Sequence, residues 1–176
     1  MTPYPGSNTP GATLRSVRTS LIAFLAVFAF GVVACSGADA DSPPRVPSAE
    51  RRVLKVEGNG ESAKVTVELA TKPDQRQQGL MFRQEMDEDA GMLFIFPEDN
   101  ATGFWMKNTY IPLDIAYISA EGRVLEIKAA KPLDETLLAP AGPYRYTLEV
   151  NAGWFLRHNL GPGATIHLPP DLPRGE

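Results

Sequence analysis

Within five consecutive residues, Trp105-Met106-Lys107-Asn108-Thr109, the chain places an aromatic ring, a thioether, a cation and an amide. That mixture suits the mouth of a binding site. With Arg83 upstream and Asp114 downstream, Lys107 and Asn108 would surround an anionic or carbohydrate-like ligand. Trp105 would then offer a stacking surface, and Asp114 would orient one of the cations. A structural reading stands beside this one: Phe104 or Trp105 fills the core, Asn108 closes a turn through its side chain, and Lys107 lies in solvent. Asp114 follows Pro112-Leu113 at the entrance to an apolar stretch, where it is either a site acid or the partner of Lys107 or Arg83 in a buried ion pair. Glu149 interrupts an apolar alternation, so the first expectation is that it faces water. The second is that it joins the polar cluster and pairs with Asp114 for acid/base work, which needs a carboxylate separation that a sequence does not give.

Other chemistries find less support. Met81, Met86, Met92 and Met106 invite a site for soft cuprous ion, but they are scattered through apolar strings, where methionine is commonly core filler. No metal or other cofactor is expected on that basis. His158 and His167 lie near the chain end without a nucleophile motif. No nucleophile elbow, phosphate loop, dinucleotide fingerprint or zinc-protease helix occurs in the sequence.

The elements that must position these residues are mostly strands. Ala63 to Ala70 alternates apolar and polar residues, so Val65, Val67 and Leu69 share one face of a half-buried strand. Thr71-Lys72-Pro73-Asp74 predicts a short helix through Gly79, with Thr71 as cap, Pro73 in the first turn and Asp74 completing a capping box. Gly91 to Phe96 is a continuous apolar run stopped by Pro97, as in a strand buried on both faces. Phe104 to Met106, Asp114 to Ile118 and Val124 to Ile127 read as further short strands. Arg145 to Val150 alternates again, Asn151 is positioned to cap a helix through Trp154, Phe155 and Leu156, and Ala164 to Leu168 forms a last strand after Gly161-Pro162-Gly163. The fold class this implies is α+β and mostly β, a small barrel or sandwich-like domain with two short helices.

At 176 residues and 43% hydrophobic content, the chain accommodates one such domain. The first 34 residues hold no acid, two arginines (Arg15 and Arg18), and a 14-residue apolar run from Leu21 to Ala34. Basic, apolar and small residues in that order form an export signal, and the run is shorter than the roughly 20 residues a membrane-spanning helix needs. The single cysteine, Cys35, follows at once, and its setting resembles a lipobox. That resemblance implies cleavage before Cys35 and acylation of its thiol, each buried methylene contributing about 0.8 kcal/mol to anchoring. By resemblance to enterobacterial sorting rules, Ser36 rather than Asp in the next position favours the outer membrane, facing the periplasm. Residues 36–50 are small, polar and proline-rich, a flexible tether. The domain should occupy residues 51–168, and the proline-rich 169–176 should form an unpacked, disordered tail.

Removing the leader leaves 15 basic against 21 acidic side chains, a charge of −6 that disfavours nucleic acid as a partner. With no second cysteine, the exported domain depends on packing rather than an internal disulfide.

The strings Gln77-Gln78-Gly79-Leu80-Met81-Phe82-Arg83, Gly91 to Phe96, Phe104 to Thr109 and Ile111-Pro112-Leu113-Asp114-Ile115 are the most distinctive text. With Leu148 to Gly153 and Gly161-Pro162-Gly163, they resemble domain-of-unknown-function family 192 over residues 62–168. The family commonly has Gly-Asp where this chain has Gly163-Ala164. The resemblance implies a small β-rich, often exported domain and no particular activity. Three function classes remain open: a membrane-anchored module binding an envelope protein or small ligand, an envelope enzyme with a carboxylate, lysine or arginine site, and a factor supporting another protein's folding or assembly. The tether favours the first, because it raises local concentration near membrane partners. Oligomeric state is open.

Overall fold

The structure, a computed structural model, describes residues 50–176. The expected leader, the acylated Cys35 and nearly all of the tether lie outside the described residues.

Seven strands and two short helices follow in the order β1 (Arg51–Gly58), β2 (Glu61–Ala70), α1 (Pro73–Gln78), β3 (Ala90–Asn100), β4 (Leu113–Ile118), β5 (Val124–Ala130), β6 (Tyr144–Asn151), α2 (Trp154–Arg157) and β7 (Thr165–His167). They form one sheet in the spatial order β5-β4-β6-β3-β2-β1-β7. All neighbours run antiparallel except β2 and β3, whose parallel connection carries α1. The sheet curls until its ends meet: Arg123 bridges Thr165, and the Ile166 amide donates to the Gly122 carbonyl at 2.8 Å. The contact involves only residues 122–124 at the start of β5, so the sheet is a curled half-barrel rather than a fully closed one. The protein is therefore the expected mostly-β, barrel-like domain with two short helices.

Strand alternation divides the apolar residues into two clusters. Val65, Val67 and Leu69 of β2 meet Leu93 and Ile95 of β3, Ala116 and Ile118 of β4 and Leu148 and Val150 of β6 inside the curl. The intervening residues face the other way. Met92 and Phe94 of β3, Ile115 and Tyr117 of β4 and Tyr144 of β6 form a second cluster with Leu80, Met106 and Ile111 from the connecting segments. The continuous apolar run of β3 is thus explained: it is covered on both faces. At Gly91 a side chain is impossible without rearrangement, since a β-carbon there would lie 2.4 Å from the Glu149 carbonyl oxygen.

Several details differ from the sequence expectations. β1 was not anticipated, although Leu54 and Val56 alternate with outward charged residues. Phe104 to Met106 is not a strand; Phe104 makes one isolated bridge to Leu138. At α1 the capping acceptor is the Gln75 side chain, which takes the Thr71 and Lys72 amides at 3.0 Å each, rather than Asp74 one position earlier. Asn151 does not cap α2 but ends β6, its amide donating to the Asp87 carbonyl at 2.9 Å. Gly153, at φ 79°, precedes α2 instead.

The segment 169–176, expected to be unpacked, lies against the domain. Leu172 packs on the inner cluster, and the Glu176 amide donates to the Thr71 carbonyl at 2.9 Å. Lack of apolar periodicity in a proline-rich stretch excludes helix and strand but leaves extended backbone free to pack through one leucine.

Candidate functional site

On the outer face of β3 and β6, beneath the segments that cover it, lies a cavity of about 250 Å³. Phe94, Phe96, Tyr144 and Glu149 contribute its sheet side. Residues 76–81 of α1 and its exit, residues 102–105 and Thr109 form the remaining wall. Most of the chain's distinctive text therefore borders one space.

Glu149 is the polar centre of this space. Its cross-strand neighbours are Met92 and Ile115, so its side chain emerges among apolar groups of the second cluster. It is 5% exposed, and burial alone pushes its carboxyl up to about 8. No cation or hydrogen-bond donor offsets that shift among the described residues, so at neutral pH the carboxyl is mostly protonated. The expectation that Glu149 faces water is corrected: the outer face at this position is roofed by the connecting segments, which alternation within one strand does not reveal.

The walls are fixed by buried polar contacts. The Tyr144 hydroxyl donates to the Thr102 carbonyl at 2.6 Å and accepts from the Asn100 amide at 2.9 Å. Burial raises the Tyr144 phenol to about 12. Tyr117 donates to the Leu138 carbonyl, tying down the segment that bridges Phe104. Phe104 stands edge-on to Phe94 at 5.1 Å. The Arg76 guanidinium donates to the carbonyls of Thr71, Ile95 at 2.9 Å and Glu176 at 2.6 Å, and its carbon lies 5.1 Å from the Phe96 ring centroid. Arg76 was missed in the sequence, as were Asn100, Thr102 and Tyr144; the one available signal was that the string around Gln77 to Met81 begins a residue after Arg76.

The six expected ligand residues divide. Trp105 and Glu149 share the cavity wall. Lys107 sits outside it, its ammonium 5.2 Å from the centroid of the exposed Trp105 ring. Arg83 is not at the cavity; it pairs with Glu68. Asn108 has φ 55° and closes its turn through the backbone, its carbonyl accepting the Phe82 amide at 2.7 Å. Asp114 forms no ion pair with Lys107 or Arg83. Its carboxylate instead accepts the Gly153 amide at 3.0 Å, holding the start of α2. Phe104, not Trp105, is the residue packed toward the core. Met92 and Met106 are buried within the second cluster, and no group of His, Cys, Asp and Glu among the described residues could hold a metal ion.

A curled β domain carrying one buried acid beneath an aromatic-walled cavity is the class these observations define. The chain belongs to domain-of-unknown-function family 192, described as "Uncharacterized ACR", whose profile matches residues 54–168. A crystal structure from Sinorhizobium meliloti 1021, described as a "putative transcription regulator", is 39% identical, with a TM-score of 0.68 over 69% of this chain and 96% of that one. A protein of unknown function from Novosphingobium aromaticivorans DSM 12444 is 34% identical, with a TM-score of 0.66 over 74% and 94%. No curated protein matches the chain.

Proposed function

We propose that the protein is an exported envelope lipoprotein, anchored through acylated Cys35, whose β domain binds a small, neutral, carbohydrate-like ligand in the cavity above Glu149. The observation that carries the binding reading is the Glu149 carboxyl, on a side chain only 5% exposed that lines the cavity and makes no hydrogen bond to another described residue. A protonated carboxyl both donates and accepts hydrogen bonds, which complements a ligand hydroxyl. Buried polar groups ordinarily have partners, and here the cavity is where one would sit. Trp105 supplies an aromatic surface beside it, and Asn100 and Thr102 add polar groups.

An anionic ligand fits less well. Arg83 is engaged by Glu68, Lys107 lies outside over Trp105, and the Arg76 guanidinium at the wall is taken up by the carbonyls of Thr71, Ile95 and Glu176. The enzyme reading loses its second carboxylate, because Asp114 is committed to Gly153 on the other face of the sheet. The transcription-regulator description of the Sinorhizobium protein is not carried over: this chain has net charge −4, and its described helices are six and four residues long.

The binding reading is tested by calorimetric titration of the mature chain with neutral mono- and disaccharides. Saturable binding weakened at least 10-fold in Glu149→Leu supports it, and absence of binding across the panel, or equal binding by the variant, refutes it. The anchor is tested by the intact mass of protein extracted from its native membrane. A diacyl or triacyl group on residue 35, lost in Cys35→Ser, supports it; an unmodified mass beginning elsewhere sinks it.

A further inference from the structure

Eight large apolar side chains are exposed among the described residues, and five of them lie on the three segments that roof the second cluster: Phe82, Trp105, Tyr110, Leu133 and Leu137. Each is at least 41% exposed. Backbone hydrogen bonds stitch the segments together: the Phe82 amide donates to Asn108 at 2.7 Å, the Leu133 amide to Thr109 at 3.0 Å, and the Met106 amide to Asp134 at 2.8 Å. Leu137 lies directly over Gly103. The other three, Val53, Leu125 and Leu156, are isolated on β1, β5 and α2.

Two of the five are held out by unfavourable backbone. Phe82 has φ 66° and Leu133 φ 59°, left-handed conformations that bulky residues rarely adopt. In neither case does the domain gain burial of the side chain in return. Contiguous exposed apolar surface of this kind marks a contact with something else.

We propose that this face is a membrane-docking surface that seats the domain on the bilayer holding its anchor. The inference rests on the lipoprotein reading of Cys35. From Ser36 to Glu50 the tether has 15 residues, reaching about 50 Å when extended and about 20 Å as a coil. That exceeds a domain radius of gyration of about 14 Å. The anchor thus supplies proximity without orientation, and the surface itself must select the face. Tryptophan, tyrosine and lysine are the residues enriched at the lipid headgroup level; here Lys107 lies over the Trp105 ring, and Tyr110 is exposed on the same connecting segment. Lys107 and Lys131 are offset by Asp134 and Glu135, so docking depends on apolar insertion and little on salt. Trp105 belongs to both the surface and the cavity wall, which brings the cavity to the membrane plane.

The test uses a chain beginning at Ser36, which contains all seven strands and both apolar clusters but carries no acyl group. It is mixed with vesicles of phosphatidylethanolamine and phosphatidylglycerol. Trp154 is fully buried, so a blue shift in tryptophan emission reports Trp105. The expected result is cosedimentation with a blue shift, insensitive to salt. Phe82→Gly combined with Leu133→Gly should reduce partitioning at least 10-fold, with the melting temperature unchanged or raised because glycine relieves the left-handed backbone. No partitioning at millimolar lipid, equal partitioning by the variant, or a lipid-independent dimer that the variant dissociates would each overturn the proposal. Saccharide titration and the mass at residue 35 are separate readouts, so a failed vesicle experiment leaves the cavity and anchor readings standing.

Discussion

Asp114 and Glu149 lie on neighbouring strands one register step apart and face opposite sides of the sheet: Ile115 pairs with Glu149, and Asp114 with Val150. Two acids that look like a pair in the sequence therefore work in different environments. One holds a helix start; the other borders a cavity. Their separation decides which experiments can tell a site from a scaffold.

Glu149 should make the domain less stable as pH rises. The folded chain keeps a proton up to about pH 8 that the unfolded chain releases near the ordinary carboxylate value of 4.5. Its stabilising effect is complete below that lower value and is lost through the folded value. Between about pH 5 and 8 stability should fall by roughly 1.4 kcal/mol per unit. Urea unfolding at pH 5, 6.5 and 8 measures this slope, and Glu149→Gln should flatten it. A slope that survives the substitution would assign the pH dependence to another group.

Asp114→Ala should lower stability by about 1–2 kcal/mol, since it strips the Gly153 amide of its acceptor. Asp114→Asn retains an acceptor oxygen and should recover much of that loss. Saccharide binding by the folded fraction should be unchanged in both. Weakened binding without a change in melting temperature would return Asp114 to the site.

Arg83→Ala addresses the cation that sequence reasoning placed at the ligand. Its partner Glu68 is on β2, and the Arg83 side chain is about one-third exposed. Loss of a pair this accessible should cost less than about 1 kcal/mol. Ligand affinity should be indifferent to it. A 10-fold or greater loss of affinity would mean that Arg83 leaves Glu68 when ligand binds.

The strands were legible where one face meets the inner cluster, because Val65, Val67 and Leu69, or Leu148 and Val150, impose a period of two. What could not be read was the roof. Glu149 is buried by connections without apolar periodicity, and nothing local separates a roofed outward residue from a solvated one; Asp114, on the inner face, is fixed by the Gly153 amide, a contact 39 residues away along the chain. Phe104 to Met106 has strand-like composition, yet Phe104 and Met106 serve the second cluster from a connecting segment with a single bridge. The candidate site was half legible: Trp105 and Glu149 were named, whereas Arg76 and Tyr144 reach the cavity through long-range contacts with Ile95, Glu176, Asn100 and Thr102.

Gly91→Ala tests whether the position of Glu149 depends on close approach of β3 and β6. A β-carbon at residue 91 would meet the Glu149 carbonyl oxygen at 2.4 Å and a Val150 methyl at 2.9 Å. The first obstacle is backbone and cannot rotate away, so the strands must separate or shift. Overpacking of this kind typically costs about 1–3 kcal/mol. The loss should appear as a lower urea midpoint at pH 4, below the ordinary carboxylate value of 4.5, where the Glu149 carboxyl is mostly protonated in the folded and the unfolded chain alike. Displacement of the β6 backbone at residue 149 should also loosen the roof and let water reach the carboxyl, bringing its titration, followed by carbon-13 NMR, down toward the ordinary range. If Gly91→Ala lowers stability while the carboxyl still titrates near pH 8, the roof rather than the strand spacing isolates Glu149.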